Sequence, residues 1–146
     1  MKTIRLAALS ADPDAFGSTF AAERDRPEEA WRSRLSKTDR ATFVCVRAAA
    51  DVGLAVAAAN EDGSASLYSV WAAPSERGGG VGDALIDACV AWARGEGFTR
   101  MTLNVGDGAA AAIRLYARHG FAPTGVVGSL PPPRDHILEH ERARAL

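Results

Sequence analysis

The sequence predicts an α+β fold: a mixed, mostly antiparallel central sheet of about seven strands flanked by about four helices. Two observations carry this. Apolar runs at 42–48, 52–59 and 64–72 are separated only by short turns, which is hairpin spacing and implies antiparallel pairing. Beyond Gly80 the apolar residues recur at helical spacing, then alternate as in a strand, then return to helical spacing. The chain has 146 residues. That is the size of one domain, residues 1–146, able to bury roughly 68–70% of its unfolded surface without disulfides or metals.

Ile4, Leu6 and Ala7–Leu9 predict a first strand. Lys2 and Arg5 precede Leu6-Ala7-Ala8-Leu9, but Ser10, Asp12, Pro13 and Asp14 end that run too early for a signal peptide. Asp12-Pro13 then signals a helix start, and Phe16 and Phe20 share a face four residues apart. Pro27 opens a second short helix with Glu28 and Glu29 in its positive first turn. Trp31 and Leu35 mark its apolar side. Three strands follow, the last two joined by the turn Asn60-Glu61-Asp62-Gly63. Val81, Ala84, Leu85, Ala88, Cys89 and Trp92 describe a three-turn helix that Gly95 and Gly97 stop. Met101, Leu103 and Val105 alternate with Thr102 and Asn104 in a strand. Ala109, Ala112, Ile113 and Tyr116 mark another helix, ended by Gly120. Strands at 121–127 and 137–144, separated by Pro131-Pro132-Pro133, complete the order β, α, α, β, β, β, α, β, α, β, β.

Composition excludes several function classes. The net charge of −1 gives no electrostatic case for nucleic acid. There is no basic helix for an anionic membrane surface, and no apolar stretch approaches the roughly 18 residues of a membrane span. Cys45 and Cys89 sit in apolar runs and are expected as free buried thiols, which fits a reducing, cytoplasmic setting. A monomer or a homodimer is expected.

The informative segment runs from Val70 through Pro74 to Asp83: a strand, a turn with glycines at 78, 79, 80 and 82, and a helix start. Exposed amides at a helix N-terminus attract phosphate, and glycine lets the backbone come close. Arg77 adds a positive charge beside the turn. A Walker loop is excluded because Gly82-Asp83-Ala84 stands where Gly-Lys-Ser/Thr is needed. The dinucleotide fingerprint is excluded because its third small residue would fall on Asp83 or Leu85.

Arg77-x-x-Gly80-x-Gly82 resembles the Arg/Gln-x-x-Gly-x-Gly/Ala signature of the GNAT acyltransferase superfamily. Val70-Trp71-Ala72-Ala73-Pro74 is similar to the strand that precedes that signature. Ala112 to Phe121 resembles the family's Ala-x-x-Leu-Tyr-x-x-x-Gly-Phe element. The resemblance implies a GNAT fold and acetyl-CoA as co-substrate. Val70, Trp71 and Ala72 would meet the pantetheine arm. Arg77, Gly78, Gly79, Gly80, Val81, Gly82 and Asp83 would surround the pyrophosphate. Tyr116 would be the general acid to the CoA thiolate. Ala109 stands where the family often carries a cofactor-contacting Asn, with Asn104 or Asp107 as substitutes nearby.

The implied reaction is direct transfer of acetyl to a primary amine, on a small molecule or a peptide, in a ternary complex. The alternative is a non-catalytic CoA-binding sensor or interaction module on the same fold. The strand Leu67–Trp71 has no carboxylate, so the base is open between ordered water, Ser69 and a group from elsewhere. Phe16, Phe20, Trp31, Ser69 and Asn104 are the candidate acceptor-pocket residues. Periodicity alone reads Tyr116 as a core residue, and Phe16, Phe20 and Trp31 equally as packing. Trp71 is expected to shape the pocket, and Glu23 and Asp25 to be solvated. His119 is read as a cation near a helix C-terminus. His136 and His140, about 13 Å apart in a strand, make no metal pair.

Overall fold

A computed structural model describes residues 1–146. Six strands form one sheet in the order β1-β2-β3-β4-β6-β5, where β1 is Arg40–Arg47, β2 Ala50–Ala59, β3 Ala65–Ala72, β4 Arg100–Gly106, β5 Ala122–Ser129 and β6 Leu138–Ala145. All neighbours are antiparallel except β3 and β4, which run parallel. The α-helices are α1 Lys2–Ala11, α2 Phe20–Glu23, α3 Glu28–Leu35, α4 Val81–Gly95 and α5 Ala110–Arg118.

One element changes class. Residues 2–11 are helical, not a strand, which makes six strands and five α-helices of the expected seven and four. The buried set is Ile4, Arg5, Ala8 and Leu9, a stripe of helical period, while Ala7 within the apolar run faces solvent. The other elements stand within a few residues of expectation. Pro27 precedes α3, with Glu28 and Glu29 in its first turn. Trp31 is buried on α3, but Leu35 is 54% exposed, so the apolar side of that helix is one residue wide.

The sheet separates two apolar clusters. On one face α4 and α5 cover Ala55, Ala57, Leu67, Met101, Leu103 and Val105, with Cys89, Tyr116 and Phe121 in the same cluster. On the other, α1 packs Ile4, Ala8 and Leu9 with Phe16 on Leu54 and Trp71. Both cysteines are free. Cys89 is buried, which pushes its thiol up to about 12. No helix is long and apolar enough to cross a membrane.

Two irregularities position the site. β3 and β4 pair only at Ala65–Met101 and Ser66–Thr102 and separate beyond. The β2–β3 register shifts between Leu54 and Val56: Leu54 faces Trp71 and Val56 faces Tyr68. Ala55 thus opposes two residues, Ser69 and Val70, which is a β-bulge.

Candidate active site

Where β3 and β4 part, a cleft of about 1030 Å³ opens through the sheet. Tyr68, Ser69 and Val70 line one wall, and Leu103, Asn104 and Val105 the other. Tyr116, Ala109 and Ala112 of α5 and its approach lie on one side, and Asp12–Ser18 and His136–Glu139 form the rims. Arg134 ties the rims together, donating to the carbonyls of Pro13 at 2.6 Å and Gly17 at 3.3 Å.

Tyr116 is buried, packed edge-on against Phe121 at 6.2 Å, yet it lines the cleft. Burial, with the Cys89 sulfur nearby, holds its phenol well above its ordinary range. It therefore stays protonated at any working pH. The tyrosine hydroxyl that does bond within the protein is that of Tyr68, to Arg40 at 3.2 Å.

The glycine turn caps α4. Gly78 and Gly80 are left-handed, at φ 76° and 85°. The helical ladder begins with the amide of Ala84 donating to the carbonyl of Gly80 at 3.0 Å. The amides of Gly78, Gly80, Val81, Gly82 and Asp83 donate to no protein acceptor, which leaves a cluster of donors at the positive end of a long helix. Gly82 has a different reason to be glycine. A Cβ there would meet Leu115 Cδ2 of α5 at 2.8 Å, so its missing side chain is what lets the two helices touch.

The charged neighbours of this turn are committed elsewhere. Arg77 reaches back to Asp12 at 2.5 Å and to the Ala72 carbonyl at 3.2 Å. Asp12 also accepts from the Trp71 indole at 2.7 Å, so Trp71 lies under α1 and does not line the cleft. Asp83 turns to α5, bonded to His119 at 2.8 Å and Arg118 at 3.2 Å. The His119 hydrogen bond is the main reason its carboxyl titrates below the ordinary range, with Arg118 adding to it against the cost of desolvation. Arg47, which the sequence gave no reason to single out, clamps the turn from β1 through Glu76 at 2.5 Å and the Gly79 carbonyl at 3.0 Å.

On the other rim, Phe16 is buried beneath the Arg5 guanidinium, 4.9 Å from its ring centre. Ser69, Asn104 and Phe16 line the cleft, while Phe20, 39% exposed, and Trp31, buried beside Arg34, do not. Glu23 overturns its expected solvation: it is completely buried, held by Arg5 at 2.9 and 3.2 Å and by Arg34 at 3.1 Å. Burial alone would raise its pKa, but the Arg5 hydrogen bonds and the two guanidinium charges bring it down to about 2. Asp25 is exposed as expected. His140 pairs with Asp107. The sequence reading passed over Glu139, a carboxylate that lines the cleft and makes no ion pair or side-chain hydrogen bond. On β6 it lies opposite Gly106, with Glu141 opposite Asn104, so period-two alternation sets it on the Asn104 face of the sheet.

The comparisons with known proteins meet this geometry. Residues 7–121 match the family model described as the acetyltransferase (GNAT) family. An "IAA acetyltransferase" of Azospirillum brasilense is 32% identical over 99 residues, which is 67% of this chain and 65% of that protein, just under two thirds of its length. A GCN5-related N-acetyltransferase from Kribbella flavida superposes with a TM-score of 0.74 at 29% identity, over 97% of this chain and 89% of that one. A putative streptothricin acetyltransferase from Bacillus anthracis, solved in complex with acetyl coenzyme A, has a TM-score of 0.68 at 19% identity, over 77% and 65% of the two chains. A sheet parted at one parallel pair, a glycine-capped helix beside the parting and a family model spanning both lead to one assignment: the chain belongs to the GNAT acetyltransferase family.

Proposed function

We propose that the protein moves an acetyl group from acetyl-CoA to a primary amine, by direct attack within a ternary complex. The observation that carries this is Tyr116: a buried, protonated phenol opening into the cleft at the parting of β3 and β4, without a protein partner for its hydroxyl. Acetyl-CoA supplies an acyl group already bonded to a thiol leaving group. The residues present fit it. The free amides of Gly78, Gly80, Val81, Gly82 and Asp83 would hold the pyrophosphate. The stretch Val70–Ala72, unpaired with β4, would carry the pantetheine arm as an added strand. Neither Cys45 nor Cys89 lines the cleft, which favours direct transfer over a cysteine relay.

The acceptor side is Phe16, Asn104 and Glu139, with Asp14 and Asp107 on the rims. Its carboxylates favour the approach of a cationic amine. That amine must lose a proton before its nitrogen can attack, and Glu139 is the group assigned to take it. Tyr116 Oη holds the proton that the leaving sulfur takes up. The nitrogen sheds two protons, one to Glu139 before attack and a second as the tetrahedral adduct collapses. Tyr116 gives one to the sulfur, and the second nitrogen proton makes good that loss by way of solvent. Glu139 releases the first, so one proton is freed per turnover.

Incubating the protein with acetyl-CoA and a panel of amines, and following free-thiol release, tests the activity. Saturable thiol release is expected with at least one amine. Tight acetyl-CoA binding with no release across the panel would favour a non-catalytic CoA-binding module. Glu139→Gln tests the base: kcat/KM should fall about 10²-fold near neutral pH. The deficit should shrink in alkali, where the amine is neutral unaided. Full activity near neutral pH would remove Glu139 from the mechanism.

A further inference from the structure

Ser69 stands in a conformation its residue type does not favour. Its φ is 57°, left-handed, in the first position of the bulge that opposes Ala55. Bulges with a left-handed first residue normally place glycine there, because a Cβ crowds the backbone. The other non-glycine residues at positive φ, Ala48 and Ala49, form the tight turn between β1 and β2, where both central residues of such a turn are left-handed. Ser69 is therefore the one such residue inside a strand. It lines the cleft three residues past the last β3–β4 pair, at Ser66.

Something must hold it there. The Ser69 hydroxyl accepts a hydrogen bond from Arg5 Nη1 of α1 at 2.9 Å. Arg5 uses its other two nitrogens on the Glu23 carboxylate at 3.2 and 2.9 Å. Glu23 is closed on the far side by Arg34 of α3 at 3.1 Å. Arg5 and Glu23 are both buried, and their guanidinium–carboxylate fork fixes the direction in which the third nitrogen points. A buried charge pair of this kind is costly to assemble and rarely justified by stability alone. Here it joins α1, α2 and α3 to a single strained backbone position.

We propose that Arg5, oriented by Glu23, is a positioning residue for acetyl transfer. By holding the Ser69 hydroxyl it locks the left-handed bulge that bends β3 away from β4 and keeps the cofactor-binding edge open. The proposal rests on the acetyl-CoA reading for its kinetic consequence, but not for its structural one. Arg5 and Glu23 touch no reacting atom. Their effect passes through the backbone of 69 and 70.

Ser69→Ala and Ser69→Gly separate this role from the alternatives. Alanine loses the hydroxyl and keeps the steric cost of positive φ. Glycine loses the same hydroxyl but takes positive φ freely. With acetyl-CoA as titrant in calorimetry, Ser69→Ala should weaken binding about tenfold and raise KM for acetyl-CoA in step, with kcat changed less than about threefold. Ser69→Gly should return both constants to within about twofold of the wild type. Arg5→Met should reproduce the alanine defect, and in the Ser69→Gly background it should add little. Amide hydrogen exchange at 68–72, read without cofactor, should rise in Ser69→Ala and Arg5→Met and not in Ser69→Gly.

Wild-type affinity and unchanged exchange in Ser69→Ala would overturn the proposal. So would a Ser69→Gly variant as defective as the alanine one, since the hydroxyl would then act on substrate directly. If the wild type binds no acetyl-CoA, the functional reading falls, and the exchange pattern still decides whether Arg5 holds the bulge.

Discussion

At the level of single residues, Tyr116 gives the sharpest test. Replacing it by Phe keeps the ring against Phe121 and removes a hydroxyl that has no protein partner. Proton donation typically contributes about 10²–10⁴-fold, and a thiolate is a good leaving group, so Tyr116→Phe should lower kcat by about 10–100-fold. Acetyl-CoA affinity and melting temperature should hold. A normal kcat with chemistry rate-limiting would remove the acid role. Because burial raises the phenol's pKa, the alkaline limb of the pH–rate profile should not come from Tyr116. This residue was legible in the sequence because it sits in a local motif. Glu23 was not: its partner Arg5 lies 18 residues away, on a segment whose apolar run fits a strand as well as a helix. The Ser69 bulge was equally hidden, since no glycine marks it.

At the level of elements, the glycine turn was legible as strand, turn and helix, but its glycines do different jobs. Gly80 needs the left-handed region and has open space where a Cβ would stand, so Gly80→Ala should strain the turn by about 1–2 kcal/mol. Gly82 is a contact between α4 and α5, and any side chain there meets Leu115. Leu115 can turn a terminal methyl aside for a lone Cβ but not for a branched side chain, so Gly82→Leu should cost about 1–3 kcal/mol in stability through overpacking. Its loss of acetyl-CoA binding should follow from displaced helices rather than from a blocked pyrophosphate, and Leu115→Ala in the same chain should recover part of the melting temperature. No recovery would mean that the α4–α5 contact is not what the glycine serves. Sequence periodicity found both helices, but it does not say which residue of one faces which residue of the other.

At the level of the whole molecule, the Arg5–Glu23–Arg34 cluster sets an acid limit. The Glu23 carboxyl falls from 4.5 to about 2 on folding, so its contribution is fully present above pH 4.5 and is lost as pH falls through about 2. A displacement of that size corresponds to at most roughly 3 kcal/mol. Unfolding free energy measured by urea titration should drop by about that amount across this window, and the drop should flatten in Glu23→Gln, which will itself be destabilised near neutrality by leaving the buried Arg5 guanidinium and the half-buried Arg34 underpaired. An equally steep drop in the variant would place the acid sensitivity elsewhere. The sheet order was partly legible, since short turns dictate antiparallel neighbours, but the insertion of β6 between β4 and β5 is a long-range choice without a local mark. That order has a mechanical corollary. β1 and β2 share eight residue pairs and β4 and β6 seven, but β3 and β4 share two, so the sheet carries a seam. On the α4 face the apolar core spans the seam; on the α1 face the crossing is made by the Arg134 strap and by the Pro13–Ala15 turn lying near β4. The molecule is built like a clasp with one glued side and one laced side, and a ligand lying along the seam would act as the missing stitches, slowing the exchange of amides on both sides of it at once.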